Sequence, residues 1–145
     1  MRVMVFVKAT ADSEAGLPPT EEMTEMFAAM GAFNEQLVEA GVMVDGDGLK
    51  PSSFGKRIAF DGDNRSVIDG PFRSPNELVA GYWIWNVADM DDAIAWAKRC
   101  PNPMPGPSEL EIRPFYEIED FGEALTPEQA EKEERLRKRM AHQVS

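Results

Sequence analysis

Five consecutive positions near the start of the chain, 3–7, are apolar on both alternating sets, with Val3, Val5 and Val7 on one side and Met4 and Phe6 on the other. That pattern predicts a strand over 2–8 that is covered on both faces. A polar, proline-containing stretch over 9–19 reads as a loop. Thr20 then offers a helix N-cap, with Glu21 and Glu22 in the first turn. Met23, Met26, Phe27, Met30, Phe33, Leu37 and Val38 recur at spacings of three and four, which predicts a helix with a broad apolar stripe that Gly41 ends. The methionines in that stripe are expected to fill core rather than to line a cofactor box.

Val42–Val44 starts a second strand, and a Gly, Pro and Ser-rich loop over 45–55 breaks it. Lys56–Phe60 and Arg65–Ile68 flank Asp-Gly-Asp-Asn, a strong hairpin signal. Asp69-Gly70-Pro71 ends that hairpin, because Pro71 fixes φ and lacks an N–H. Val79–Val87 is the strongest strand, with Tyr82 and Ile84 facing one way and Trp83, Trp85 and Val87 the other. Asp89 caps a second helix whose stripe is Met90, Ala93, Ile94 and Ala97, and the prolines from 101 to 107 stop it. A last strand spans Glu109–Glu117, with Leu110 and Ile112 on one face and Glu111 and Arg113 on the other. Thr126 to Gln129 forms a capping box with Pro127 at the first helical position, so a third helix runs to about Met140. Its acid-first i, i+4 pairs favour an exposed helix. Its thin apolar face fits a lightly docked arm or a contact with a second subunit.

The order is strand, helix, strand, inserted hairpin, strand, helix, strand, then a helical arm: an α+β fold, ferredoxin-like, with two helices on one face of an antiparallel sheet. The other face needs a cover. A second copy packed face to face supplies it, which predicts a homodimer; in a monomer the proline loop and the arm would have to cover it.

Composition narrows the classes of function. At 145 residues the length fits one domain, read here as 1–123 with an extension over 124–145. A net charge of −11, spread along the chain, disfavours nucleic acid and anionic membranes as partners. The N-terminal apolar run is too short for a signal core or a membrane span, and the single cysteine, Cys100, excludes an internal disulfide. A reducing cytoplasm is the simplest location.

Candidate chemistry is sparse. Asp69, at a strand exit on a rigid turn, is the candidate acid or base, although an Asp before Gly-Pro also serves simply to bond the turn. Lys8 and Arg113 are cations for an anionic ligand, or partners of Glu111 or Asp69. Trp83 is expected either in plain core or in a pocket at the dimer interface. Asp45 and Asp47 lack the further oxygen ligands and closing Glu of a calcium loop, so neither metal nor cofactor is expected. The only histidine, His142, lies beyond the predicted helix, and no nucleophile elbow or phosphate-binding loop is present.

The ordered segments VIDGPF, AGYWIWNV and KRCPNPM, with a Gly-Leu-x-Pro loop before them, resemble the YCII-related (DGPF-domain) family over about 1–123. The resemblance implies a dimeric α+β barrel of ferredoxin-like type and no agreed activity. Some similar proteins are acid–base lyases or isomerases that work through a His and Asp pair, which this chain's predicted core does not offer. Arg73-Ser74-Pro75-Asn76-Glu77 stands where relatives carry a stretch similar to Ala-Glu-Thr-Lys-Glu. Members of that family are often encoded beside alternative sigma factors, so the resemblance also implies a regulatory role with a transcription regulator as partner. The leading expectation is a homodimer binding a small-molecule ligand, anionic in character, with Asp69, Lys8, Trp83 and Arg113 around it.

Overall fold

Strand β1 (Arg2–Lys8) lies inside a four-stranded antiparallel sheet, as a run that is apolar on both alternating sets requires. The computed structural model describes residues 1–143. It orders the sheet as β2 (Met43–Gly48), β5 (Val79–Asn86), β1 and β6 (Leu110–Pro114). With the inserted hairpin set aside, this is the ferredoxin-like strand order. Two helices, α2 (Glu21–Glu39) and α3 (Met90–Lys98), complete the α+β unit.

Register decides which residues share a face. Val3 lies opposite Trp85, and Val5 lies between Trp83 and Ile112. This row meets Phe33 and Leu37 of α2 and Ala93 of α3 to form the core. Val3, Val5, Leu37 and Trp85 are fully buried, and each aliphatic member contributes about 1.5–3 kcal/mol by leaving water. Phe33, Trp83 and Trp85 form an aromatic triad with ring centroids 5.6–6.3 Å apart. On the opposite face Met4 pairs with Ile84 and Arg113, and Phe6 with Tyr82 and Glu111. The apolar members of that row are half-buried.

The helices begin where the caps predict. Thr20 accepts the Met23 N–H at 3.2 Å, and Asp89 accepts the Asp92 N–H at 2.8 Å. Two segments differ from the sequence reading. The stretch over 9–19 contains a short helix, α1 (Ala11–Glu14), because Thr10 and Ser13 cap each other reciprocally. Strand β2 continues through Asp45 to Gly48 across an irregularity in its pairing with β5. Glycine permits this: a Cβ on Gly46 would stand 2.7 Å from Trp83 Cδ1.

The hairpin strands β3 (Lys56–Asp61) and β4 (Asn64–Asp69) form a separate two-stranded sheet, exposed along its whole length. Gly62, at φ 59°, supplies the left-handed turn residue.

The chain divides into two compact units, the first Met1–Pro114 and the second starting at Phe115. The last sheet strand therefore stops at Pro114, three residues short of the expected end. In the second unit a 3₁₀ segment (Ile118–Ala124) precedes α4 (Pro127–Gln143). Thr126 and Gln129 exchange the two capping-box hydrogen bonds at 2.9 and 3.2 Å. Tyr116 stacks near Phe121, Arg137 lies 3.5 Å from Glu117, and no residue of α4 is buried. His142 falls within the last turn of α4 rather than beyond it. Among the described residues no helix is long and apolar enough to cross a membrane.

Candidate functional site

The apolar stripe of α2 has two fates, apart from Val38, which the spacing predicts inward and which is 62% exposed. Phe33 and Leu37 enter the core, whereas Met23, Met26, Phe27 and Met30 line a cavity of about 930 Å³. Phe27 remains 51% exposed. The cavity is bounded by α2, by Met43, Gly46 and Trp83 of the sheet, by Leu17 and Pro18 after α1, and by Pro103, Met104 and Pro105 of the proline loop. Its size and apolar lining fall in the range of small-molecule sites. The methionines read as core filler are thus partly the wall of a pocket. The spacing that predicts an inward face does not say whether that face meets protein or space.

Polar groups are few. Asn34, one helical turn beyond Met30, lines the cavity, and its Oδ1 accepts the Trp83 Nε1–H at 2.9 Å. Asp12, Ser13, Asp47, Lys50 and Tyr82 supply the rest, Asp47 and Tyr82 from strand positions whose side chains alternate to the opposite face. Asp47 Oδ1 accepts the Gly48 N–H at 3.0 Å, and Asp45 Oδ1 accepts the Gly46 N–H at 2.8 Å, so both carboxylates bind backbone. Asp45 also lies 3.5 Å from Tyr82 Oη. The Asp45 carboxylate, aided by reduced hydration and by Asp47, holds the Tyr82 phenol above its usual range.

A second, smaller hollow of about 380 Å³ lies beside the loop that carries Asp69-Gly70-Pro71-Phe72. Ser52 organises it. Its N–H donates to Glu14 Oε1 at 3.0 Å, its hydroxyl donates to Glu14 Oε2, and its Oγ accepts the Phe72 N–H at 3.0 Å. The Gly70 N–H donates to the Gly55 carbonyl at 3.1 Å, and the Gly70–Pro71 peptide is cis. A Cβ on Gly70 would collide with the Ser52 carbonyl, so only glycine fits. Arg57 lies over the Phe72 ring at 3.8 Å. Glu14 and Ser52 carry no sequence motif, and only the folded chain brings them together across 38 positions.

The four residues singled out from sequence do not converge within one protomer. Asp69 ends β4, pairs with Lys56 across the hairpin at 2.6 Å, and its side chain is 74% exposed. Lys8 Nζ lies 3.8 Å from Glu111, on the sheet face opposite the helices, and Arg113 is exposed on that same face. Trp83 is buried on the helix-covered face at the cavity wall. Strand alternation separates Trp83 from Lys8 and Arg113. Cys100 packs against the core, and burial pushes its thiol up to about 11.

An uncharacterized protein of Rhizobium meliloti (strain 1021) is 27% identical over 95 residues, covering 66% of this chain and 77% of that protein. A sequence model of the YCII-related domain matches residues 1–116, which takes in the sheet, α2, α3, the hairpin and every residue of the cavity wall. The chain belongs to the YCII-related domain family.

Proposed function

We propose that the protein is a homodimeric binding protein for a small, largely apolar molecule, held by each protomer in the cavity between α2 and the sheet. The observation that carries this reading is the uncovered half of the α2 stripe, where four large apolar side chains face about 930 Å³ of space. Leaving such side chains against water forfeits the burial that would otherwise stabilise them, and a ligand restores it. Methionine suits the task, because its flexible thioether adapts to varied shapes.

The dimer part rests on the other face of the sheet. Met4, Phe6, Tyr82 and Ile84 form an apolar row there, with Asp45, Asp47, Glu111 and Arg113 at its margins. Two such faces packed together would bury the row and leave the charges at the rim.

The ligand reading is tested by filling the cavity. Met30→Trp should abolish the fluorescence enhancement of an apolar dye such as Nile red while leaving the thermal midpoint within a few degrees. Dye binding unchanged by Met30→Trp would sink it. The dimer reading is tested separately by sedimentation: wild type should run as two chains and Ile84→Asp as one, and a wild-type particle of one chain's mass at micromolar concentration would end it.

A further inference from the structure

Asn34 is the one polar side chain of α2 that lines the cavity, and its amide has a fixed orientation. The indole N–H of Trp83 can only donate, so the Asn34 atom that meets it at 2.9 Å must be the carbonyl oxygen. The amide nitrogen, with its two donors, is therefore turned away from Trp83. No protein acceptor takes those donors among the described residues. Trp83 is buried and held by Phe33 and Trp85, so the carbonyl end is anchored to a rigid wall. The result is a prearranged pair of neutral donors where the methionine stripe enters the core.

Resting on the binding reading above, we infer that the cavity selects an apolar molecule bearing a neutral hydrogen-bond acceptor, a carbonyl oxygen in the simplest case, which the Asn34 amide receives. An anionic acceptor fits less well, because Lys50, the cation among the lining residues, is offset by Asp12. A cation would meet donors where it needs acceptors.

The test uses four matched probes on the full chain: acetophenone, ethylbenzene, phenylacetate and phenethylamine, titrated while the Asn34 side-chain amide is followed by ¹⁵N–¹H NMR. Acetophenone should bind about three- to tenfold more tightly than ethylbenzene, the worth of one net hydrogen bond, and should shift the Asn34 amide resonances. Asn34→Asp keeps an acceptor for Trp83 but removes the donors, so within that variant acetophenone should bind no more tightly than ethylbenzene. Equal binding of acetophenone and ethylbenzene, an unmoved Asn34 resonance, or tighter binding of phenylacetate or phenethylamine would each overturn the Asn34 inference and leave the cavity reading intact. No binding by any of the four would overturn both.

Discussion

The two halves of α2 share one helix and one apolar spacing, and they end in different environments. In the C-terminal half Phe33 and Leu37 are sealed against Val3, Val5, Trp83 and Trp85. In the N-terminal half Met23, Met26, Phe27 and Met30 look onto a cavity. The difference lies in what stands opposite. Val42 and the β1–β5 centre back the closed half, whereas the open half faces the edge strand β2, where Gly46 replaces a side chain with space that Trp83 partly fills. Helical periodicity shows which residues point inward, and the neighbouring strand decides whether inward means core or pocket.

Substitution in the two halves separates them most sharply. Leu37→Ala should cost about 2–5 kcal/mol in denaturant unfolding, because a fully buried side chain leaves a hole. Met26→Ala, on the open half, should cost less than about 1 kcal/mol while weakening binding of an apolar dye. Equal losses at the two positions would mean that the two halves are packed alike.

The junction offers a finer test. Trp83→Phe and Trp85→Phe remove the same ring volume, yet Trp83 Nε1 has Asn34 as acceptor and the buried Trp85 Nε1 has no partner among the described residues. The first change breaks a hydrogen bond, and the second relieves a donor that is unpaired among the described residues. Trp85→Phe should therefore be the milder by about 1 kcal/mol, although Trp85 is the more buried. If Trp85→Phe proved the costlier, packing alone would govern this site.

Asp69→Asn should change stability by less than about 1 kcal/mol, since the Lys56–Asp69 pair is exposed to solvent on both sides. It should also leave dye binding untouched, because Asp69 does not line the cavity. Loss of binding in Asp69→Asn would tie the hairpin to the open half of α2.

Much of the fold was legible because alternation and helical spacing report burial directly. The two-sided run from Val3 to Val7, the two faces of Val79 to Val87 and the caps at Thr20, Asp89 and Thr126 all lie where local pattern puts them. Locally invisible features depended on distant partners. Asp45 to Gly48 reads as loop by composition and becomes strand only by pairing with β5. The cavity was hidden for the same reason, since Met23 and Leu37 look alike in sequence and differ only in what faces them. Asn34 interrupts an otherwise apolar stripe and was the signal available: a polar residue at an inward position asks for a partner. Asp69 drew attention through its motif; it pairs with Lys56 across the hairpin, while Gly70 and Ser52 make the close contacts that hold the loop.

A last test concerns Cys100, which packs against the closed half through the core. Burial disfavours the thiolate and raises the thiol from an ordinary 9.0 to about 11. Because the folded value lies above the unfolded one, the thiol's contribution to stability is complete below about pH 9 and is lost as the pH rises through about 11. At pH 8 the thiolate fraction is then roughly a hundredfold lower than in the unfolded chain, and alkylation by iodoacetamide should be slower by a similar factor. Urea should restore the fast rate at the unfolding midpoint, and Leu37→Ala should move that point to lower urea. Met26→Ala should move it far less, in keeping with its smaller cost in stability. A fast rate in the native protein, insensitive to Leu37→Ala, would show that the closed half is not closed around Cys100.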